Sequence, residues 1–270
     1  MMDGVQEQHI VTEILDGVGH IRLNRPEVRN ALSPSMKKQL TEATYAFERD
    51  ASVRAVLITA AGEHFMVGAD VKHFHELLQQ DRAGHAAGFE ERVVNFNHYF
   101  HRLHRMPKPV LVAVQGGTVG LGFCMASVAD LCIAADDAFF MLAYRHIGLS
   151  PDAGITFALP RIVGERRAME ITFLGEKIDA QKALDWGIAN WVVPRAELEE
   201  QAWKIARKLA SGPTMALARG KKLIRDAFEN GWDAQLHREA ELIAECVASD
   251  DHLESVAAFV EKRKPDFRGR

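Results

Sequence analysis

The sequence predicts an α/β fold in its first part and an all-helical arrangement in its last part. Up to about residue 164, short apolar runs rich in β-branched residues alternate with helical patterns. Such alternation favours parallel strands that are joined by crossover helices. Beyond that residue, helical patterns continue while strand signals nearly vanish. The chain has 270 residues, 47% of them apolar, which is enough for a large core without disulfide bonds.

The first predicted elements are a hairpin, a helix and a buried strand. Residues 9–15 and 18–23 flank an Asp-Gly pair and predict two antiparallel strands. Ser33, which a proline follows, predicts the N-cap of a helix, and apolar residues recur at helical spacing from 36 to 47. Residues 53–59 predict a buried strand, after which a loop with two glycines extends to residue 70.

The middle of the chain contains a predicted loop, an amphipathic helix and several buried elements. Residues 79–90 are polar and lack periodicity, so we predict a mobile surface loop there. Apolar spacings of four and three from 89 to 103 predict the amphipathic helix. The other predicted elements are strand 110–114, glycine-rich loop 116–122, helix 121–129, strands 131–135 and 139–142, and tail helices 167–173, 180–186, 197–209, 215–228, 235–247 and 252–262.

Composition and charge exclude several classes of protein. The 33 basic and 37 acidic residues give a formal net charge of −4, so charge does not favour nucleic acid or an anionic membrane as a partner. No apolar run approaches the ~20 residues that span a bilayer, and the N-terminus shows no signal-peptide pattern. The three cysteines lie in apolar segments and predict reduced thiols. We therefore expect a cytoplasmic protein.

Several common catalytic motifs are missing from the sequence. There is no Gly-x-Ser-x-Gly motif for a hydrolase nucleophile, and the glycines of residues 117–122 are in the wrong order for a dinucleotide fingerprint. His98, His101 and His104 could share one side of a helix, but no cysteine or carboxylate accompanies them at metal-ligand spacing. We expect solvated or interface histidines and no metal site.

Four segments carry a resemblance to a known family. They are LNRPEVRNALS (23–33), FMVGADVKHF (65–74), the stretch from VAVQGGTVGLGF to ALPRIVG (112–164) and AFVEKRKPDF (258–267). In this order and spacing, they resemble the crotonase superfamily of enoyl-CoA hydratases and isomerases. The resemblance implies a crotonase-like α/β spiral of ββα units over residues 1–195 and a C-terminal helical trimerisation region over residues 196–270. It also implies a homotrimer or a dimer of trimers.

The resemblance implies that the substrate is an acyl-CoA thioester, with CoA as part of the substrate and no separate cofactor. Such thioesters react through an enolate-like state, whose negative charge on the thioester oxygen is stabilised by two N–H groups in a dry site. By resemblance, these donors are the amides of Ala69 and Leu121. Gly68 and Gly120 fit beside them, because a close backbone approach to a ligand favours residues without side chains.

The positions of the acidic residues separate this chain from the usual hydratases of the family. Those hydratases use two glutamates, and the matching positions here are Cys124 and Tyr144. Asp152 instead matches the position at which several isomerases of the family carry their sole catalytic carboxylate. The other interpretation of Asp152 is a helix N-cap before residues 153–159. We predict an enoyl-CoA isomerase in which Asp152 moves a proton and shifts a double bond.

The resemblance also implies contacts to CoA and to the acyl group. Arg29 would meet the CoA phosphates, while Phe259 and Lys262, from the same or a neighbouring subunit, would close over CoA. The complete predicted substrate-binding set is Arg29, Ala31, Gly68, Asp70, Val71, Gly120, Tyr144, Phe259 and Lys262. Bulky predicted lining residues indicate a short, cyclic or aromatic acyl chain; they are Val67, Phe74, Phe89, Phe96, Phe123 and Tyr144.

Three alternatives remain open at the level of sequence. The chain could be a hydratase with an atypical acid and base, or a non-catalytic relative that binds acyl-CoA. It could also be an aryl-CoA dehalogenase with Asp152 as the nucleophile, which requires a histidine base on the preceding long helix. The aligned residue is Asn97, and the neighbouring His98 lies about 100° further around a helix.

Overall fold

Strands and helices alternate through the first part of the chain, and helices dominate the last part, as predicted. The computed structural model describes residues 8–270, apart from the side chains of residues 73 and 85. The strands are β1 (Ile10–Leu15), β2 (Val18–Leu23), β3 (Ala55–Ala60), β4 (Val110–Val114), β5 (Gly117–Val119), β6 (Leu131–Ala135), β7 (Phe139–Met141), β8 (Ile178–Asp179) and β9 (Trp191–Val193). The helices are α1 (Pro34–Arg49), α2 (Val71–Gln80), α3 (Arg82–Ala87), α4 (Phe89–Arg105), α5 (Leu121–Val128), α6 (Ile155–Val163), α7 (Glu165–Leu174), α8 (Ala180–Asp185), α9 (Leu198–Ala210), α10 (Thr214–Asp226), α11 (Trp232–Val247) and α12 (Asp250–Val260).

Two sheets organise these strands. The larger sheet has the order β1-β2-β3-β4-β6-β9. Strand β1 pairs antiparallel with β2, whereas every later pair in this sheet is parallel. The smaller sheet has the order β5-β7-β8. Successive units therefore add strands along one direction of the larger sheet, which confirms the predicted α/β arrangement with parallel strands.

The inner strands β3, β4 and β6 of the larger sheet are covered on both faces, and this explains their continuous apolar runs. Val56 and Ile58 of β3 pack in the core that contains α1, α4 and α5. Ala55 and Leu57 of the same strand pack in a second core, formed with α9. A strand with two dry faces needs apolar residues at every position, so it shows no alternation.

Helix α9 lies directly beyond the predicted domain boundary at 195/196, and it shares a core with the sheet. Its residues Ala202, Ala206 and Ala210 are buried and belong to the same cluster as Leu57 and Leu111. Small side chains at a spacing of four allow a helix to pack closely on a sheet. The packing thus continues across residue 196, and the division into two regions stays a prediction.

The C-terminal segment is tied to the residue that precedes β3. The Arg54 guanidinium donates to Thr214 Oγ1 at 3.1 Å, to Gly212 O at 2.5 Å and to Phe267 O at 2.6 Å. The buried carboxylate of Asp251 accepts two backbone N–H groups of the same final segment. These contacts join the first sheet strands to the end of the chain.

The predicted loop over residues 79–90 is wrong. The structure has α2 up to Gln80, α3 from Arg82 and α4 from Phe89. Asp81 caps α3, because its Oδ1 accepts the N–H of Gly84 at 2.9 Å. Most residues of these short helices are exposed, so they carry no clear apolar period even though their local signals are helical.

The predictions also missed three short strands. Strand β5 lies within the predicted glycine-rich loop, and β8 and β9 lie beyond residue 164. Each has only two or three residues, so none is long enough to show a period. Strand β9 nevertheless pairs with β6 and completes the larger sheet.

The last three helices expose many large apolar side chains. The exposed residues on or next to them are Ile224, Phe228, Trp232, Leu236, Ile243, Val247, Leu253, Val256, Phe259 and Val260. Exposed apolar area of this extent marks an interaction surface. Within residues 8–270, no helix combines the length and the apolar character needed to cross a membrane.

A buried ionic cluster fastens α10 to the beginnings of β4 and β6, two inner strands of the larger sheet. Asp130 Oδ2 lies 2.7 Å from Lys221 Nζ, and its Oδ1 lies 2.6 Å from a guanidinium nitrogen of Arg225. The same carboxylate accepts the Val110 N–H of β4 at 2.8 Å. Burial raises the pKa of Asp130 and lowers that of Lys221. The carboxylate therefore connects a helix of the last region to a strand of the first.

We expect Asp130→Asn to destabilise the fold by ~3–5 kcal/mol, because the change leaves two partly buried cations without their anion. Urea unfolding followed by circular dichroism measures this loss. Asp226→Asn is the matched control, since its ion pair with Lys222 at 2.7 Å is solvent-exposed and contributes only ~0.5 kcal/mol. Equal effects of the two substitutions would contradict a structural role for the cluster.

Candidate active site

A cavity of about 670 Å³ opens between α1, α2, α4 and the segments that follow β3 and β4. Its walls are mostly apolar. The apolar lining residues are Leu32, Val67, Val71, Phe74, Leu77, Phe89, Val93, Phe96, Val119, Ile147 and Leu149. Phe123, which was predicted to line the cavity, is instead fully buried, with its ring 5.4 Å from that of Phe140. Helix α5 is buried on all sides, so its sequence could not show which face meets the cavity.

Two backbone segments meet at the floor of this cavity. One follows β3 and contains residues 65–70, and the other runs through β5 to the start of α5 and contains residues 116–122. Met66 donates its N–H to Gly117 O at 3.1 Å, and Val119 donates its N–H to Met66 O at 2.8 Å. A Cβ on Gly122 would lie 2.6 Å from Met66 O, which is closer than real Cβ contacts come. The glycine at 122 is therefore required by the contact between the two segments.

The same contact places Gly68 of one segment against Gly120 of the other. Their φ angles are +91° and +54°, a region that residues with a side chain rarely adopt. A Cβ placed on Gly120 would lie 3.5 Å from the Cα of Gly68. Both glycines line the cavity. The two backbones thus approach each other directly beneath the space that a ligand would occupy.

The amides of Ala69 and Leu121 follow these two glycines, and both residues line the cavity. Leu121 begins α5, so its N–H has no acceptor within the helix. In the described part of the chain, no backbone hydrogen bond between the two segments uses either N–H. Two donors on neighbouring segments can stabilise one negatively charged oxygen. Their assignment as an oxyanion hole stays a prediction.

Asp152 lies at the same cavity, and a tyrosine holds its carboxylate. Tyr144 donates its O–H to Asp152 Oδ1 at 2.5 Å, and both residues line the cavity. Helix α6 begins at Ile155 behind the N-cap residue Gly154, and no side chain caps it. The alternative in which Asp152 serves as a helix cap therefore finds no support. The hydrogen bond from Tyr144 therefore positions the Asp152 carboxylate at the wall of the cavity.

Cys124 and Tyr144, at the two positions that hydratases of the family fill with glutamate, are in contact. Cys124 Sγ lies 3.4 Å from Tyr144 Oη. Burial raises the pKa of the Cys124 thiol far above its usual range. Burial, and then the neighbouring Cys124 and Asp152, raise the pKa of the Tyr144 hydroxyl. Both groups stay protonated near neutral pH, so neither can accept a proton as a glutamate does.

The structure brings only part of the predicted substrate-binding set together. The predicted residues that line the cavity are Gly68, Ala69, Asp70, Val71, Gly120, Leu121, Tyr144 and Asp152. Arg29 and Ala31 belong to the turn before α1 and do not line it, although Arg25 links that turn to the cavity by donating to Ala31 O at 2.6 Å. Phe259 and Lys262 lie at the end of α12, exposed and outside the cavity of the same chain. Their predicted contact with CoA would require a neighbouring subunit.

A lysine of α1 is a cavity residue that the sequence analysis missed. Lys37 lines the cavity, and its Nζ lies 5.3 Å from the centre of the Phe96 ring. Burial lowers the pKa of Lys37, while the negative charge of Asp152 raises it and Arg92 lowers it. Lys37 lies three residues before the buried Leu40 and seven before the buried Thr44, so it shares a side of α1 with them. That spacing is a signal that could have placed it near the interior.

Helix α4 does not bring to the cavity the histidine that a dehalogenase mechanism requires, although His146, which precedes Asp152 in the chain, does line it. Asn97 lines the cavity, whereas His98 is exposed on α4 and does not. The helical displacement expected from the sequence is thus what the structure shows. Among the described side chains, no group of three or more His, Cys, Asp or Glu residues is placed to hold a metal ion.

Comparisons with known proteins agree with this fold and cavity. The enoyl-CoA hydratase/isomerase family model matches residues 13–270. The chain is 37% identical to 1,2-epoxyphenylacetyl-CoA isomerase of Escherichia coli, over 97% of this chain and 99% of that protein. It is 35% identical to the mitochondrial enoyl-CoA hydratase of Pongo abelii, over 93% of this chain and 83% of that protein. The crystal structure of enoyl-CoA hydratase from Bacillus anthracis has a TM-score of 0.89 at 32% identity, covering 97% of this chain and 100% of that one.

The parallel sheet, the helical last part and the cavity over two glycine segments define a protein of the crotonase fold. The chain belongs to the enoyl-CoA hydratase/isomerase family. This confirms the resemblance that the four sequence segments indicated. The family processes acyl-CoA thioesters, and relatives of this chain carry both isomerase and hydratase names.

We expect Tyr144→Phe to lower kcat by about 10- to 150-fold, because it removes a hydrogen bond to a charged group, worth ~1.5–3 kcal/mol, and leaves the ring in place. The KM for the same thioester should change less than about twofold, since the bond fixes the acid rather than the substrate. Steady-state kinetics on an enoyl-CoA thioester measures both constants. Cys124→Ala keeps the tyrosine hydroxyl and serves as the control with a mild effect. A Tyr144→Phe enzyme with normal kcat would contradict the positioning role.

Proposed function

We propose that this protein is an enoyl-CoA isomerase that moves a double bond along the acyl chain by proton transfer through Asp152. The observation that carries the proposal is the Asp152 carboxylate, which lines the cavity and is held by Tyr144 rather than used as a helix cap. The two usual glutamate positions hold a thiol and a phenol that stay protonated. Asp152 is the acid best placed to exchange protons with an acyl chain.

The proposed reaction consists of two proton transfers. The thioester oxygen accepts hydrogen bonds from the N–H groups of Ala69 and Leu121. Asp152 takes a proton from one carbon of the acyl chain, and the electron pair of that C–H bond delocalises onto the thioester oxygen. The protonated Asp152 then returns the proton to another carbon, and the double bond forms at its new place. No atoms are gained or lost, and the proposal requires no cofactor besides the CoA of the substrate.

A hydratase with an atypical acid and base is the second candidate. Relatives that carry the hydratase name keep this alternative open. Hydration requires a base that activates water and an acid that delivers a proton. Cys124 and Tyr144 cannot be the base because they stay protonated, and their raised pKa values make them weak acids. This leaves Asp152 to perform both steps. The geometry therefore favours isomerisation.

A non-catalytic acyl-CoA-binding role is the third candidate. A binding protein needs the cavity and the two amide donors but has no use for a carboxylate fixed by a hydroxyl. The hydrogen bond from Tyr144 to Asp152 thus supports catalysis over binding alone.

We expect Asp152→Asn to lower isomerisation by at least about 100-fold, because the amide keeps the shape of the side chain but cannot accept the proton. The measurement is a panel of enoyl-CoA thioesters incubated with the protein and followed by mass spectrometry and chromatography. Isomerisation leaves the mass unchanged, whereas hydration adds the mass of water. Folding and CoA-thioester affinity of the variant should stay close to those of the wild type.

Two results would contradict the proposed mechanism. If the wild-type protein added water to the panel and isomerised none of it, the hydratase alternative would replace the isomerase. If Asp152→Asn isomerised a substrate at the normal rate, the proton would have to travel through another group. Cys124→Ala is the control, since its thiol takes no part in the proposed transfers.

We also propose that the chain assembles as a homotrimer or a dimer of trimers in the cytoplasm. The support is the exposed apolar surface of α10, α11 and α12, on which Phe259 is 86% exposed and Trp232 is 77% exposed. Burying such residues against another subunit is favourable, whereas leaving them in water is not. A neighbouring subunit would also bring Phe259 and Lys262 to a CoA site that they do not reach in their own chain.

We expect sedimentation equilibrium at micromolar concentration to give a particle of three or six times the 30.1 kDa chain mass. Phe259→Ser combined with Trp232→Ser should shift the particle toward the monomer, because it removes two large apolar anchors from the exposed surface. A wild-type particle of 30.1 kDa would contradict the proposal.

A further inference from the structure

Lys37 places a positive charge inside a cavity whose walls are otherwise mostly apolar. It lies on α1, is partly buried and lines the cavity together with Phe96 and Phe89. Its one close aromatic contact is the Phe96 ring, 5.3 Å from Nζ. Lys37 Nζ forms no hydrogen bond or ion pair with another group in the described part of the chain, and it is not fully buried. An ammonium group has three donors, and an acyl group that displaced water from them without offering an acceptor would bind less favourably.

The other charges of the cavity show where an acceptor for Lys37 would lie. Lys38 pairs with Glu42 at 3.9 Å, and that pair is exposed. The negative charge of Asp152 attracts the Lys37 ammonium, whereas Arg92, which also lines the cavity, repels it. Lys37 and Asp152 form no ion pair. A space therefore separates the ammonium from the proposed catalytic carboxylate. An acyl group in that space would face Asp152 on one side and Lys37 on the other.

We propose that Lys37 binds an oxygen atom carried by the acyl group, so that the substrates are oxygenated acyl-CoA thioesters rather than plain hydrocarbon chains. This inference rests on the proposed function. The oxygen can belong to a carboxylate or to a neutral carbonyl, hydroxyl or ring ether, since all of these accept a hydrogen bond from an ammonium group. A site that presents a donor to the ligand disfavours ligands that leave this donor unpaired. Lys37 is thus a specificity-determining residue, not a catalytic one.

The test uses saturated acyl-CoA thioesters, which bind but cannot isomerise. Each straight-chain acyl group is compared with its keto and ω-carboxylate counterparts of the same length, over a series of increasing length. Calorimetric titration gives Kd for the wild type, for Lys37→Met and for Lys38→Met. Lys37→Met keeps the length of the side chain and removes the ammonium. Lys38→Met removes an equal charge from the next residue, which also lines the cavity but already pairs with Glu42.

At some length in the series, the wild type should bind an oxygenated ligand at least about tenfold more tightly than its hydrocarbon counterpart. Lys37→Met should lose that preference while binding the hydrocarbon ligand as well as the wild type or better. Lys38→Met should keep the preference within about twofold. A preference for the carboxylate alone identifies an anionic acyl group, and an equal preference for the ketone identifies a neutral oxygen.

Two outcomes would overturn the inference. One is a wild type that shows no preference for oxygenated ligands at any length. The other is a Lys37→Met variant that loses the same factor for all ligands, which would mean that Lys37 contacts CoA itself. Because the ligands do not react, these outcomes are independent of whether Asp152 catalyses isomerisation. The wild-type mass-spectrometric assay on unsaturated thioesters tests that question separately.

Discussion

The contact between two backbone segments at the floor of the cavity is the constraint on which the site depends. Met66 exchanges hydrogen bonds with the segment around β5, and Gly122 leaves no room for a Cβ beside Met66 O. Gly68 and Gly120 adopt positive φ angles, which allow the two segments to approach each other closely. Side chains at these positions would separate the segments and, with them, the two amide donors. The alternating strands and helices therefore hold the two segments, and with them the amides of Ala69 and Leu121, at a fixed distance from each other.

The chemistry of the site follows from what surrounds one carboxylate. Cys124 and Tyr144 are buried groups whose protons stay in place, so the tyrosine acts as a donor rather than a base. Its hydroxyl fixes Asp152 at the wall of the cavity. The ammonium of Lys37 lies on the same cavity without a direct bond to that carboxylate. An acid and a cation that share one apolar space can act on different parts of one acyl group.

The sequence predicted the long elements well, because their packing requires recognisable turn residues, capping residues and patterns of apolar residues. The two-residue turn between β1 and β2, the Ser33 cap of α1 and the apolar run of β4 could all be identified. The helices around residues 79–90 could not, because they are mostly exposed. Cys124, Tyr144 and Asp152 were singled out by resemblance, but only the folded chain shows that Tyr144 donates to Asp152. Lys37 lies 115 residues from Asp152 in the sequence, and no local pattern relates the two.

The hydrogen bonds of the Arg54 guanidinium affect the order in which parts of the fold can form during synthesis. Its three acceptors lie 158, 160 and 213 residues further along the chain. A ribosome adds about 5–20 residues per second, so Arg54 leaves it roughly 10–40 s before the last of these partners. During that interval the start of β3 lacks its contacts with residues 212, 214 and 267. This part of the fold is therefore completed only after those residues have left the ribosome.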